Sequence, residues 1–225
     1  MSKRKKLLIL HCYGVYHRGV FHADYPEYVR IYEQQLRESF RLLDEGCYDV
    51  LVISGGYTKP EAEKSEARGM LDWADELELP RKKGIALLEE YAKDSFENLL
   101  FSTCRFFQFF GEFPGTVHSC TWKLNTERFG ILARQISLPR FQVIPVGRRV
   151  GEEEIAHKWA ELAEEDPFYL KQSDSKEKYQ KRDPWRKSCP YGQIDEDFRR
   201  LFDKLAELKS TGGNPREAKN LIPWR

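Results

Sequence analysis

Three groups of polar residues interrupt otherwise apolar stretches of the chain, and each has the composition of a site. Ser54-Gly55-Gly56 is a hydroxyl followed by two residues without side chains. Backbone N–H groups in such a turn can receive an anion, helped by the dipole of a following helix; the alternative is a tight turn that needs positive φ. Asp94-Ser95-Phe96-Glu97-Asn98 opens an apolar segment that continues to Phe110. Asp94 with Glu97 three residues on fits a capping box with Asp in place of Ser or Thr. Asn98 is not explained that way: it stands beside Leu99, Leu100 and Phe101, and a buried carboxamide needs partners. The third group, Ser119 to Arg128, contains Thr121, Trp122 and Lys123. Lys123 and Arg128 suit a phosphate or carboxylate, against the alternative of a solvated basic face.

These groups define the candidate site. Glu66, Glu97 and Asn98 are the candidates for catalysis, by acid–base or metal-assisted chemistry, with Glu90 a further carboxylate nearby. Ser54, Gly55, Gly56, Asp94, Ser95, Ser119, Lys123 and Arg128 are the candidates for holding a ligand. The expected partner is an anionic small molecule. No metal is assigned: His11, His17 and His22 lie near Asp24, but their spacing matches no metal-binding pattern. His118, inside an apolar run, reads as a core histidine. The chain contains no Walker A loop, no Gly-x-Gly-x-x-Gly fingerprint, no Gly-x-Ser-x-Gly elbow and no His-Glu-x-x-His helix, so the common nucleotide-fold and hydrolase signatures give no lead.

Positioning these residues requires short strands alternating with helices. Strands are expected at Leu7–Tyr13, Asp49–Ser54, Ile85–Glu90, Gly115–Cys120 and Arg140–Val146. Continuous apolar runs of this length suit strands buried on both faces. Helices are expected at Tyr25–Glu45, Thr58–Leu79, Asp94–Phe110, Leu124–Gln135, Glu152–Glu165 and Ile194–Leu208. The second starts with a Thr58/Glu61 capping box or, alternatively, at Ser65. The alternation predicts an α/β fold, a Rossmann-like three-layer sandwich with a mainly parallel sheet. Ligands in such sheets bind outside the carboxyl ends of the strands, where all three groups fall. Residues 1–150 are expected to form this domain and residues 151–225 a C-terminal helical appendage packed on it, with a loose tail from about 210 carrying Gly212-Gly213, Pro215 and Pro223.

Composition narrows the function classes. The 225 residues are 40% hydrophobic and 32% charged, as expected of a globular chain. A net charge of +1 gives no electrostatic reason for a nucleic-acid partner. No apolar run reaches the roughly 20 residues of a membrane helix, and MSKRKKLLIL lacks the long apolar region and cleavage site of a signal peptide. A cytoplasmic protein without a membrane partner is expected. The five cysteines are scattered and form no Cys-x-x-Cys pair; Cys12, Cys104 and Cys120 read as buried hydrophobes.

The order of these motifs resembles the domain-of-unknown-function family 218, the YdcF/SanA/ElyC-like proteins. The resemblance rests on Ser54-Gly55-Gly56, Ser65-Glu66-Ala67, AKDSFENLLFS (92–102) and WKLNTERFG (122–130), and covers about residues 7–150 with an echo at Asp183-Pro184-Trp185-Arg186. It is similar in particular to a branch without a membrane anchor, known from fungi and other lineages. The resemblance implies a Rossmann-like fold and, since one family member binds it, S-adenosylmethionine as a candidate cofactor. It does not carry over an envelope role, because Ser119 to Arg128 lacks the histidine of many bacterial members. Two functions follow as expectations. One is an enzyme acting on a phosphorylated or nucleotide-like small molecule. The other is a non-catalytic ligand-binding or regulatory protein, with S-adenosylmethionine as ligand.

Overall fold

The computed structural model describes residues 4–23, 25–59, 63–147, 153–168 and 188–225. Asp24, Glu61, Glu152 and Asp183 to Arg186, used in the sequence reading, lie outside the described residues. Five strands form one sheet: β1 (Lys6–His11), β4 (Val50–Ser54), β5 (Ile85–Glu89), β6 (Thr116–Trp122) and β7 (Gln142–Val146). Between the first two of these, β2 (Gly14–His17) and β3 (Val20–Ala23) form a separate antiparallel hairpin. The five-stranded sheet has the order β5-β4-β1-β6-β7, and every pair is parallel. In order of appearance the strands run third, second, first, fourth, fifth, the arrangement of Rossmann-like sheets.

The apolar strands are continuous because each face of the sheet has its own core. Leu7, Ile9, Val50, Val52 and Val117 face α3 (Ser95–Phe110) and α4 (Thr126–Gln135). Leu8, Leu10, Leu51 and Ile53 face α1 (Val29–Asp44) and α2 (Glu66–Glu76). The result is a three-layer α/β sandwich. Helix α3 is the most buried: Phe96, Leu99, Leu100, Cys104 and Phe106 are each at most 1% exposed. Its start is set by Asp94, whose Oδ1 accepts the Glu97 N–H at 2.7 Å, and its end by Gly111 at φ 67°. The capping box is only half formed, since the Glu97 carboxylate turns to Lys93 and Lys209 instead of returning to Asp94.

On the face of α3 and α4 lie α5 (Glu153–Glu165) and α6 (Glu196–Thr211). Phe198, Leu201, Leu205 and Leu208 of α6 share the core of α3. The segment after α6 is not a loose tail. Gly212 caps the helix at φ 74°, and Asn214 opens a 3-10 turn over Pro215–Leu221 with a complete capping box. Ala218 and Ile222 are buried, and the Trp224 indole donates to the Ile136 carbonyl at 2.9 Å. Gly and Pro here terminate and start elements, the roles they hold at a helix C-cap and a first-turn position. Among the described residues no helix is long and apolar enough to cross a membrane.

Candidate functional site

The strand register brings His11, Ser54 and Glu89 level at the carboxyl end of the sheet. The Ser54-Gly55-Gly56 turn follows immediately, and its polar atoms are already used. The Gly55 N–H donates to the Glu89 carbonyl at 3.0 Å and the Gly56 N–H to the Ala92 carbonyl at 2.9 Å. Their carbonyls accept the N–H groups of Ala67 and Glu66 in the first turn of α2. With donors and helix terminus both occupied, this turn is not an anion nest, which corrects the ligand-holding role expected of Gly55 and Gly56. Nor does either glycine adopt positive φ. Glycine is required by contact: a Cβ on Gly55 would lie 2.7 Å from the Cys12 Cβ, and one on Gly56 would lie 2.6 Å from the Ala92 carbonyl oxygen. The pair lets α2 and the loop after β5 close onto the strand ends.

Ser54 joins that loop to α3. Its hydroxyl is 2.7 Å from Glu89 Oε2 and 2.8 Å from Asn98 Oδ1. Glu89 is fully buried and also accepts the N–H groups of Tyr91 at 2.7 Å and Ala92 at 3.3 Å. Burial pushes its carboxyl up to about 7, against the opposing pull of those three hydrogen bonds. Asn98 is therefore placed by Ser54, and its role is to tie α3 to β4. Glu66 lies nearby, with its Oε1 accepting from the Thr58 hydroxyl and its side chain against Gly55. The α2 N-cap is Ser65, which accepts the Arg68 N–H at 2.9 Å and donates to Glu90 at 2.7 Å; the helix starts there, not at Thr58.

Glu97 points away from this cluster. Its Oε1 is 2.5 Å from the Lys209 ammonium of α6 and its Oε2 accepts the Lys93 N–H at 2.9 Å. Burial is the largest single influence and raises its carboxyl, but the charges and hydrogen bonds of Lys209 and Lys93 together outweigh it and hold the carboxyl below the usual value. Asp94 and Ser95 stand at the cap and first position of α3. None of these three faces the sheet edge as a free ligand-holding group, which corrects the catalytic assignment of Glu97 and the ligand-holding assignment of Asp94.

The second cluster occupies the topological switch point. After β1 the chain passes to α1 on one face; after β6 it passes to α4 on the other, the position at which ligands bind in sheets of this kind. Tyr13 OH is 2.5 Å from Thr121 Oγ1, either hydroxyl being able to donate to the other, and accepts Asn125 Nδ2–H at 2.8 Å. His11 Nε2 is 2.9 Å from Ser119 Oγ, with its ring centroid 3.9 Å from that of Phe129. On the opposite face the Gln35 amide donates to the carbonyls of His11 and Cys120, each at 2.8 Å, and pins β1 to β6. Arg128 is half-buried with its guanidinium 5.5 Å from the Trp159 ring centroid. Burial first, and then the Arg128 charge, push His11 down to about 3, so its imidazole is neutral. Burial raises the Tyr13 phenol well above its usual value. Lys123 is exposed on the rim.

Several buried atoms here have no hydrogen-bond partner among the described residues: His11 Nδ1, Asn125 Oδ1, Gln35 Oε1 and Trp122 Nε1. The structure thus places Ser119 and Arg128 at the topological switch point and Ser54, Glu66 and Asn98 around the neighbouring strand ends. Asn125 and Gln35 were not singled out in the sequence, and Tyr13 and Thr121, at the ends of their strands, were given no role there. Gln35 had a readable signal, since it sits among the buried positions of α1 with Tyr32, Leu36 and Phe40. His17 and His22 lie on the hairpin, apart from the buried His11. The thiols of Cys12, Cys104, Cys120 and Cys189 are raised chiefly by burial, which opposes thiolate chemistry. Comparisons with protein-family models, with curated proteins and with solved structures returned no match.

Proposed function

We propose that the protein binds a phosphorylated or nucleotide-like small molecule in the crevice outside β1 and β6, and acts on it there. The observation that supports this reading is the pair of buried polar atoms, the acceptor Asn125 Oδ1 and the ring nitrogen His11 Nδ1, that have no partner among the described residues beside the half-buried Arg128. Each unmet buried group costs about 1–3 kcal/mol. Donors on a ligand, such as ribose hydroxyls or base N–H groups, would offset that cost. Arg128 takes the anionic group, and Tyr13 and Thr121 present a fixed pair of hydroxyls. His11, neutral because of burial and Arg128, can accept a proton-bearing group without repelling the cation. Glu66, beside Cys12 and Gly55 and held by the Thr58 hydroxyl, is the candidate base.

Calorimetric titration with ADP and with inorganic phosphate tests the reading. Arg128→Ala is expected to weaken ADP binding by about 1.5–3 kcal/mol, while Lys123→Ala, on the exposed rim, changes it by less than about 1 kcal/mol. Unchanged affinity in Arg128→Ala would remove the anion site. The second reading, a non-catalytic or regulatory protein holding S-adenosylmethionine, is favoured by the carboxylate of Glu66 beside the crevice, which suits a cationic sulfonium. In that case Glu66→Gln weakens S-adenosylmethionine binding and leaves ADP without effect.

A further inference from the structure

The pairing of β1 with β6 ends at Leu10 and Cys120, whereas β1 stays paired with β4 as far as His11 and Ser54. The first two strands therefore part just before Tyr13 and Thr121, whose hydroxyls meet at 2.5 Å. One side chain bridges the parting strands. Gln35 of α1 is fully buried, and its Nε2 donates to the carbonyls of His11 and Cys120 at 2.8 Å each. These two bonds fix the amide, because a flipped amide would set Oε1 against two carbonyl oxygens. In this orientation Oε1 is buried with no hydrogen-bond partner among the described residues. An unmet buried oxygen costs free energy, and the buried neighbours on α1 are Tyr32, Leu36 and Phe40. An apolar side chain of similar volume would pack there without that cost. What the glutamine contributes is the bridge between the two strand ends.

We propose that Gln35 is a positioning residue of the site outside β1 and β6, which rests on the reading of that site given above. By fixing the separation of the strand ends it sets the Tyr13 and Thr121 hydroxyls and, through the 2.8 Å bond to Tyr13, the Asn125 amide. It holds the two strand carbonyls from α1, on the other face of the sheet, and acts on the ligand only through them. Arg128 is carried by α4, which takes no part in either bond. Loss of the bridge therefore falls on the hydroxyl pair and spares the cation. Misplacing positioned groups by about 1 Å can cost on the order of 100-fold, so a bridge at the strand ends has leverage that a packing residue lacks.

The test is calorimetric titration of the full chain with ADP and with inorganic phosphate. Gln35→Met keeps the length and removes both donors. It is expected to weaken ADP about tenfold or more and to change the affinity for phosphate, held by Arg128, by less than about threefold. Gln35→Glu adds a pH profile. Its protonated acid donates one of the two bonds, and its ionised form turns a charge on the carbonyls. Its ADP affinity relative to the wild type should therefore fall as pH rises, while the ratio for Gln35→Met stays level. A role in folding alone would lower the melting temperature of either variant and leave both ratios at one. Should neither variant fold, the side-chain amide resonances of Gln35 in the wild type decide: they are expected to shift on ADP saturation, and resonances that stay in place overturn the role. ADP affinity in Gln35→Met within about threefold of the wild type, or equal losses for ADP and phosphate, overturns the positioning role and leaves the site standing. Absence of saturable ADP binding by the wild type overturns the site, and the role of Gln35 with it.

Discussion

Ser54 has one hydroxyl proton and two acceptors, Glu89 and Asn98, within 2.8 Å. Both contacts are satisfied if Glu89 is protonated and donates to Ser54, which then donates to Asn98. Once Glu89 ionises, Ser54 must donate to it, and the Asn98 amide must turn its NH₂ toward the hydroxyl. Because burial raises the Glu89 carboxyl from 4.5 to about 7, the folded state holds a proton that the unfolded chain has lost. Stability therefore falls as pH rises from about 4.5 to about 7, by on the order of 3 kcal/mol, and is level above that. Glu89→Gln, which cannot ionise, should abolish this slope in urea unfolding measured across the same pH range; an unchanged slope would assign it to another group. At this scale the sequence marks Ser54, the two glycines and Asn98 as special. It does not show where their bonds go, because Glu89 and the Ala92 carbonyl reach them from another strand and its loop.

Helix α3 shows what periodic apolar sequence can and cannot convey. Its length, its Asp94 cap and its burial follow from the run Phe96 to Phe110 and the glycine after it, as expected from propensity and capping. Its unequal faces do not, since phenylalanines fall on both of them: Phe106 is 0% exposed and Phe109 is 51% exposed. Phe106→Ala should cost about 3–5 kcal/mol, and Phe109→Ala less than about 0.5 kcal/mol, measured by chemical denaturation. Equal effects would mean that the exposed end of the helix is covered. The β2–β3 hairpin escaped the sequence reading for a local reason. Its turn places Arg18 at φ 51° and Gly19 at φ 79°, and arginine is not a residue that signals such a turn. The five-stranded sheet was legible because strands buried on both faces are apolar throughout, while four-residue strands carrying His17 and His22 are not.

At the scale of the whole molecule, the C-terminal third is joined to the sheet by contacts far apart in sequence. α6 shares the core of α3, Trp224 bonds to Ile136, and Lys209 pairs with Glu97 across 112 positions. No local pattern announces such a pairing, so Glu97 read as a catalytic candidate when its partner lay in a segment read as appendage. The pair is partly out of water: the side chains are 6% exposed at Glu97 and 32% at Lys209. Removing the lysine leaves a buried carboxylate whose remaining hydrogen-bond donor among the described residues is the Lys93 N–H. Lys209→Ala should therefore cost more than the ~0–1 kcal/mol of an exposed ion pair, toward the ~3–5 kcal/mol of a broken buried one. Adding Glu97→Gln, which removes the stranded charge, should recover much of that loss. The contribution also has a pH signature opposite to that of Glu89. Because Lys209, with Lys93, overcomes burial and holds the Glu97 carboxyl below its usual value, the stabilisation is fully present above the ordinary carboxylate range and is lost as pH falls through the lowered value. Denaturation of the wild type, Lys209→Ala and the double variant at pH 7 and in acid separates the two terms. A Lys209→Ala cost that is small at pH 7, or that the second substitution does not relieve, would show that the C-terminal segment is held by its apolar contacts alone.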